Sequence, residues 1–318
     1  MKRCQDIEET LRYKPIILIT GSSSGLGFAL SELLYNCDQY RVAITARKFS
    51  QVKLRDRFIE KDNFKIFDLD IVQEKSRKKC LKEIRELWGD VDILINNAGI
   101  CFRSVVEHMT EEDEQLQMKT NYFGPLALIR DIVPSMREKG RGKIINVSSV
   151  SGMIAMPTMS SYSASKHALE GASEALWYEM KPYGINVSLI QPGFIKSNSF
   201  QNVYYTSNSN PDNLDPESPY SDYYLSMGPF VEKLMNMSLT KPEAIAQKIL
   251  GVIQKERPPL WVPVTLDAVI FYYLRKIIPR RWLMPLLFLF LPKSNIWALR
   301  HTLRRDKIGH TNRKNKAS

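Results

Sequence analysis

The sequence predicts an α/β protein: a doubly wound parallel sheet of about seven strands, with helices on both faces, in one domain. Three observations carry this. Short continuous apolar runs recur along the chain, as strands buried on both faces require. Segments of helical periodicity separate them, so that strand and helix alternate. The first run passes directly into a glycine-rich turn and a helix. At 318 residues the chain is long enough for such a domain with an ample core.

The first strand is Pro15–Thr20 (PIILIT), followed by Gly21-Ser22-Ser23-Ser24-Gly25-Leu26-Gly27 and a helix from Phe28 to about Cys37. Glycines let the backbone approach a ligand, and a helix N-terminus offers unpaired N–H groups and a positive dipole end. The GxxxGxG turn therefore reads as a phosphate cradle, against the blander reading of a structural turn. The second strand, Arg41–Thr45, ends at Ala46-Arg47-Lys48. An acid there would bond the ribose 2′-hydroxyl of NAD. Arg47 can instead pair with a 2′-phosphate, so the expected cofactor is NADP(H) in preference to NAD(H).

The third strand, Phe64–Phe67, ends in Asp68-Leu69-Asp70, and a charged helix follows from about Gln73 to Trp88. The fourth, Val91–Ile95, ends in Asn96-Asn97-Ala98-Gly99. Thr110 caps a long helix with acids in its first turn, expected to pass through Asn121 and Gly124 to about Met136. An Asn in mid-helix competes for backbone hydrogen bonds, so Asn121 implies a task. The fifth strand, Lys143–Val147, delivers Ser148 and Ser149. A helix carrying Tyr162 runs to about Met180, and a sixth strand, Ile185–Ile190, leads into Gln191-Pro192-Gly193. Ligands of such sheets collect at these carboxyl ends.

Tyr162 and Lys166 lie four apart and share a helix face. A phenol ionises near pH ~10, and a neighbouring ammonium would draw that toward the working range of a general acid or base. Alone, the pair is equally an ordinary helix face.

In their order and spacing TGSSSGLG (20–27), NNAG (96–99), Asn121, NVSS (146–149), YSASK (162–166) and PG (192–193) resemble the short-chain dehydrogenase/reductase family. The likeness covers roughly residues 15–200 and points to its steroid- and retinol-dehydrogenase-like, NADP-preferring members. It implies a Rossmann fold continuing to about residue 263 and an enzyme interconverting a carbonyl and an alcohol with NAD(P) as partner. It implies that Ser149, thirteen residues before the tyrosine, bonds the substrate carbonyl oxygen. Tyr162 would exchange the proton, Lys166 would lower the phenol's pKa and hold the nicotinamide ribose, and Asn121 would anchor a relaying water through its backbone. Gly21, Ser23, Ser24, Gly25, Leu26 and Gly27 would cradle the pyrophosphate, and Arg47 with Lys48 would meet the 2′-phosphate. Asp68 and Leu69 would flank the adenine, Asn96, Asn97, Ala98 and Gly99 would border the cofactor, and Pro192, Gly193, Ile195 and Ser197 would lie at the carboxamide. Ser24 departs from the basic residue that some NADP-binding members carry. A homodimer or homotetramer through the helices near Thr110 and Ser160 is implied too. A cofactor-sensing regulator on the same fold and an NAD(P)-dependent epimerase or dehydratase are the rival readings; the complete Ser/Tyr/Lys set and compact length favour a simple dehydrogenase.

Of 45 Lys/Arg and 34 Asp/Glu, thirteen and two respectively lie in residues 257–318, so the net charge of +11 sits entirely at that end. A neutral body does not suit a nucleic-acid binder. Four scattered cysteines (Cys4, Cys37, Cys80, Cys101) and four isolated histidines suggest neither a metal site nor disulfides, and residues 1–14 lack an apolar signal core. A cytoplasmic protein, possible on a membrane surface as a peripheral partner, is expected. His167 should point about 100° away from Lys166, and the Asn186 sequon falls in a predicted buried strand.

The domain is expected to span 1–263, with a cofactor half at about 15–140 and a catalytic and substrate half at 141–263. Tyr204, Tyr205, Tyr220, Tyr223, Tyr224 and Phe230 mark an aromatic substrate loop suited to a bulky lipophilic small-molecule substrate: a steroid, retinoid or long-chain ketone or aldehyde. Residues 264–299 mix apolar and basic side chains in runs too short for the ~20 residues of a membrane span. They suit contact with an anionic membrane interface, cover for the substrate pocket, or a second subunit; membrane contact is favoured. The basic tail, 300–318, reads as disordered.

Overall fold

A computed structural model describes residues 13–196 and 203–297. Ser197 and the 300–318 tail lie outside the described residues. Strands β1 (Ile16–Ile19), β2 (Arg41–Ala46), β3 (Phe64–Asp68), β4 (Ile93–Asn96), β5 (Gly142–Val147), β6 (Ile185–Gln191) and β7 (Trp261–Pro263) form one sheet in the order β3-β2-β1-β4-β5-β6-β7. Every pairing is parallel. The chain winds outward from β1 to one edge and then from β4 to the other. The reversal between β1 and β4 opens a crevice at the carboxyl ends of these strands.

Successive side chains of a strand point to opposite faces, so an all-apolar strand needs cover on both. Ile17 and Ile19 of β1 pack with Leu30 and Leu34 of α1 (Gly25–Tyr35) and Ile245 and Ile249 of α8 (Pro242–Gln254). Ile16 and Leu18 face the other way, onto Ile84 of α3 (Glu74–Trp88) and Leu128 and Ile132 of α5 (Gly124–Lys139). Each such fully buried side chain contributes roughly 1.5–3 kcal/mol. The short α2 (Gln51–Arg57) follows β2, and α6 (Ser160–Met180) follows β5.

Two expectations change. Helix α1 starts at Gly25, not Phe28, which puts Gly25 and Gly27 in its first turn, where backbone N–H groups have no helical acceptor. The helix expected to run unbroken from Thr110 to Met136 is instead α4 (Glu111–Met118), a π turn over Lys119–Phe123, and α5. In an α-helix the N–H of residue 125 would reach the carbonyl of Asn121, but residue 125 is proline and has no N–H. The wider turn is centred on Asn121, the residue whose carbonyl lacks that donor.

Beyond β6, α7 (Ser221–Met237) precedes α8. After β7, Thr265 caps α9 (Leu266–Ile277), accepting from the Ala268 N–H at 3.4 Å, and α10 (Arg280–Leu289) folds back. Ten helical residues at 1.5 Å each reach about 15 Å, half a bilayer core. Among the described residues no helix is long and apolar enough to cross a membrane.

Candidate active site

The glycine turn is built around close backbone approach. Gly21 and Gly25 have φ of +69° and +57°, which side chains rarely tolerate. A Cβ on Gly21 would lie 2.7 Å from the Ala98 Cα, and one on Gly27 would collide with the Gly21 carbonyl and the Asn97 amide. Asn97 braces the turn from β4: its Nδ2 donates to the Thr20 and Gly21 carbonyls at 3.0 and 2.9 Å. The Thr20 hydroxyl accepts from the backbone N–H groups of Asn97 and Ala98. Asn96 is buried, and its amide donates to Asn146 at 2.8 Å. The amide nitrogens of Asn96 and Asn97 are thus committed to protein partners. Ser23 is part-buried and Ser24 exposed at the N-cap of α1, beside Leu26. Arg47 and Lys48 are exposed at the end of β2, with the Arg47 guanidinium 4.6 Å from the Phe49 ring centroid. Asp68 closes β3, and the Leu69 N–H is held by the Ala46 carbonyl.

Ser149, Tyr162, Lys166 and Asn121 converge across the crevice. The Ser149 hydroxyl accepts from the Ser151 N–H at 3.1 Å and bonds to the Tyr162 phenol. Lys166 is 4% exposed; its Nζ donates to the Val147 carbonyl at 2.9 Å and lies 5.8 Å from the Tyr162 ring centroid. Asn121 is fully buried. Its Oδ1 accepts from the Ile100 N–H at 2.9 Å, and its Nδ2 donates to the Ile100 carbonyl at 2.9 Å and the Ser165 hydroxyl at 3.0 Å. The side chain that should disrupt a helix therefore ties the π turn to the loop after β4 and to the helix of Tyr162.

The electrostatics differ from the expected picture. Burial pushes the Tyr162 phenol above its usual range, with Cys101 adding to the rise and the Ser149 hydrogen bond opposing it. Lys166 does not offset this. Burial lowers it to about 8, and its ammonium is directed at the Val147 carbonyl.

This architecture matches a known group. A family model for the short chain dehydrogenase covers residues 15–208. The chain belongs to this family. It is 33% identical over 274 residues to dehydrogenase/reductase SDR family member 7B of Xenopus tropicalis, covering 83% of this chain and 82% of that one. It is 35% identical over 245 residues to a 3-ketodihydrosphingosine reductase of Bacteroides thetaiotaomicron, covering 77% and 85%. A short-chain dehydrogenase from Streptomyces avermitilis superimposes with a TM-score of 0.70 at 30% identity, over 82% of this chain and 92% of that one. The protein is an oxidoreductase of the CH–OH class.

The family binds nicotinamide cofactors, and this dehydrogenase's residues fit one. Gly21 and Gly27 let the turn close tightly on β4, while beside Gly25 a Cβ would meet nothing within 4 Å, and the first-turn N–H groups of α1 adjoin that open space. At the far side Pro192 is buried, the Gly193 N–H donates to the Thr265 hydroxyl at 2.8 Å, and the Phe194 N–H donates to Asp267 at 2.8 Å. Ile195 packs against the core beside α1 and α8.

Sequence reasoning missed the polar layer beneath the site. Glu170, one turn beyond Lys166, is buried. It accepts from the Ser148 hydroxyl at 2.7 Å and the Gln191 amide at 3.0 Å, and burial raises its pKa. A Cβ on Gly152 would stand 2.5 Å from the same carboxylate. Glu170 thus joins the ends of β5 and β6 to α6. Its place on the Lys166 face, at i+4, was the one signal available.

An apolar cavity of about 240 Å³ opens between Val150, the residue after Ser149, and Ile154 on one side and the C-terminal helices on the other. Phe194, Phe230 and Leu234 form its flanks, and Phe271, Met284, Leu287, Phe288, Phe290 and Leu291 its outer wall. Among the described residues there is no cluster of three candidate metal ligands.

Proposed function

We propose that this dehydrogenase uses NADP(H) to interconvert a ketone or aldehyde and its alcohol on a bulky lipophilic substrate. The cavity carries the substrate reading: it is lined by Val150, the residue after Ser149, and all its lining residues are apolar. The name of the Bacteroides relative, a 3-ketodihydrosphingosine reductase, agrees with a ketone on a lipid chain. Arg47, with Lys48 beside it and no acid at the end of β2, supports the 2′-phosphate.

In this reading the cofactor supplies the hydride. Ser149 donates to the carbonyl oxygen as charge develops there. Tyr162 holds the proton that passes to that oxygen in reduction; its raised pKa keeps the phenol protonated at neutral pH, as a proton donor must be. Lys166, positively charged below about pH 8, faces the nicotinamide ribose, and Asn121 holds the loop of Ile100 in place. Residues 264–297 cover the cavity and make peripheral contact with a membrane, supported by their exposed apolar and cationic side chains. Self-association through α4 and α6 is supported by exposed Leu116 and Tyr178.

A panel of lipophilic ketones, aldehydes and alcohols with both cofactors tests the reading. Net NADPH oxidation by apolar carbonyls is expected, and no turnover across the panel rejects it. Arg47→Ala should weaken NADPH far more than NADH; an equal loss removes the NADP assignment.

A further inference from the structure

The two C-terminal helices have two apolar sides. One walls the cavity. The other faces outward and carries Trp282, Leu286 and Leu289 at 60%, 42% and 76% exposure, with Ile270, Tyr273 and Ile277 continuing the surface on α9. Three side chains belong to both sides: Met284, Phe288 and Phe290 line the cavity, yet are 51%, 48% and 72% exposed. The mouth of the cavity therefore opens within the exposed apolar face.

The charges around this face have one sign. Arg275, Lys276, Arg280, Arg281 and Lys293 are all exposed. The single acid between residues 264 and 297 is Asp267, which is bonded to the Phe194 N–H. The Arg281 guanidinium lies 4.8 Å from the Trp282 ring centroid, and the Lys276 ammonium 4.1 Å from that of Tyr272, so cations and aromatic rings are presented together. Helices this short cannot span a bilayer, but an apolar face rimmed by cations and aromatics is what an anionic lipid surface attracts.

We infer that α9 and α10 dock on an anionic bilayer with the cavity mouth against the lipid, so that the lipophilic substrate passes from membrane to active site without crossing water. This rests on the proposed function for the identity of the substrate, but not for the docking. It explains why the cavity wall is built from exposed aromatic residues, which a cavity filled from water would hide.

The full chain is tested by flotation with vesicles of phosphatidylcholine alone and with phosphatidylglycerol added. Binding is expected only with the anionic lipid, reduced roughly tenfold or more by R280E/R281E. W282A/L289S changes exposed residues outside the cavity lining; it should abolish flotation and leave turnover of a short, water-soluble ketone unchanged. Equal binding to both vesicles, or no loss in either variant, overturns the docking. So does a sedimentation experiment in which the variants dissociate an oligomer while the parent chain ignores vesicles, which would give the face to a second copy. Diluting a lipophilic ketone with inert lipid, at fixed bulk concentration, should slow turnover; a rate that follows bulk concentration alone overturns the route. Flotation with no turnover of any carbonyl would instead remove the proposed function and leave the docking intact.

Discussion

Lys166 meets two opposed demands at the residue scale. Burial lowers its pKa from 10.5 to about 8. Between those values the unfolded chain binds the proton more tightly than the folded one, so stability rises with pH across that window. The cost is fully present below pH 8 and fades toward 10.5; a shift of this size is on the order of 3 kcal/mol. Lys166→Met is therefore expected to abolish turnover while leaving the apoprotein at least as stable at pH 7. The difference in thermal midpoint should close as pH rises from 8 to 10.5. Tyr162→Phe removes the proposed proton donor, so turnover should fall by roughly 10² to 10⁴ with cofactor binding retained. Kinetics beside a cofactor titration check this, and retained turnover would reject Tyr162 as the acid.

At the scale of elements, the site is set by how strand ends and helices are tied. The carboxylate of Glu170 bonds Ser148, next to Ser149, and Gln191, next to Pro192. Removing it leaves two buried donors unpaired, at ~1–3 kcal/mol each. Glu170→Ala is expected to lower both thermal midpoint and kcat. Glu170→Gln, which keeps an acceptor oxygen, should recover most of kcat, with cofactor affinity unchanged in both. A kcat unaffected by the Ala variant would reduce Glu170 to a packing residue. The π turn is a second tie of this kind: Pro125 removes the α-helical donor for Asn121, and the three side-chain bonds of Asn121 hold the turn against Ile100 and Ser165.

For the whole molecule, the C-terminal helices are fastened to the catalytic edge as well as placed over it. The Thr265 hydroxyl and Asp267 carboxylate accept from the N–H groups of Gly193 and Phe194. A Cβ on Gly193 would collide with Asp267, so the approach is tight. Freeing this tether loosens the cavity wall. Asp267→Ala is expected to raise KM for lipophilic ketones several-fold, with a smaller change in cofactor affinity, as steady-state kinetics with both ligands varied would read. A rise confined to the cofactor would place the tether's effect elsewhere.

The sequence by itself determined the sheet and the pairing of Tyr162 with Lys166 on one helix face, because these depend on short-range patterns. Continuous apolar runs mark strands covered on both faces, a glycine turn marks where a backbone must come close, and Tyr162 and Lys166 share a face by helix periodicity alone. Only tertiary structure decided what those groups experience. Whether Lys166 lowers Tyr162 or is itself lowered depends on burial, and on a carbonyl nineteen residues away at Val147. The partners of Glu170 lie 22 and 21 residues off at the ends of two strands, beyond any local pattern. The C-terminal segment read as apolar and basic in sequence. That its inner side walls a cavity while its outer side stays exposed follows from the folding back of two short helices, which no periodicity specifies.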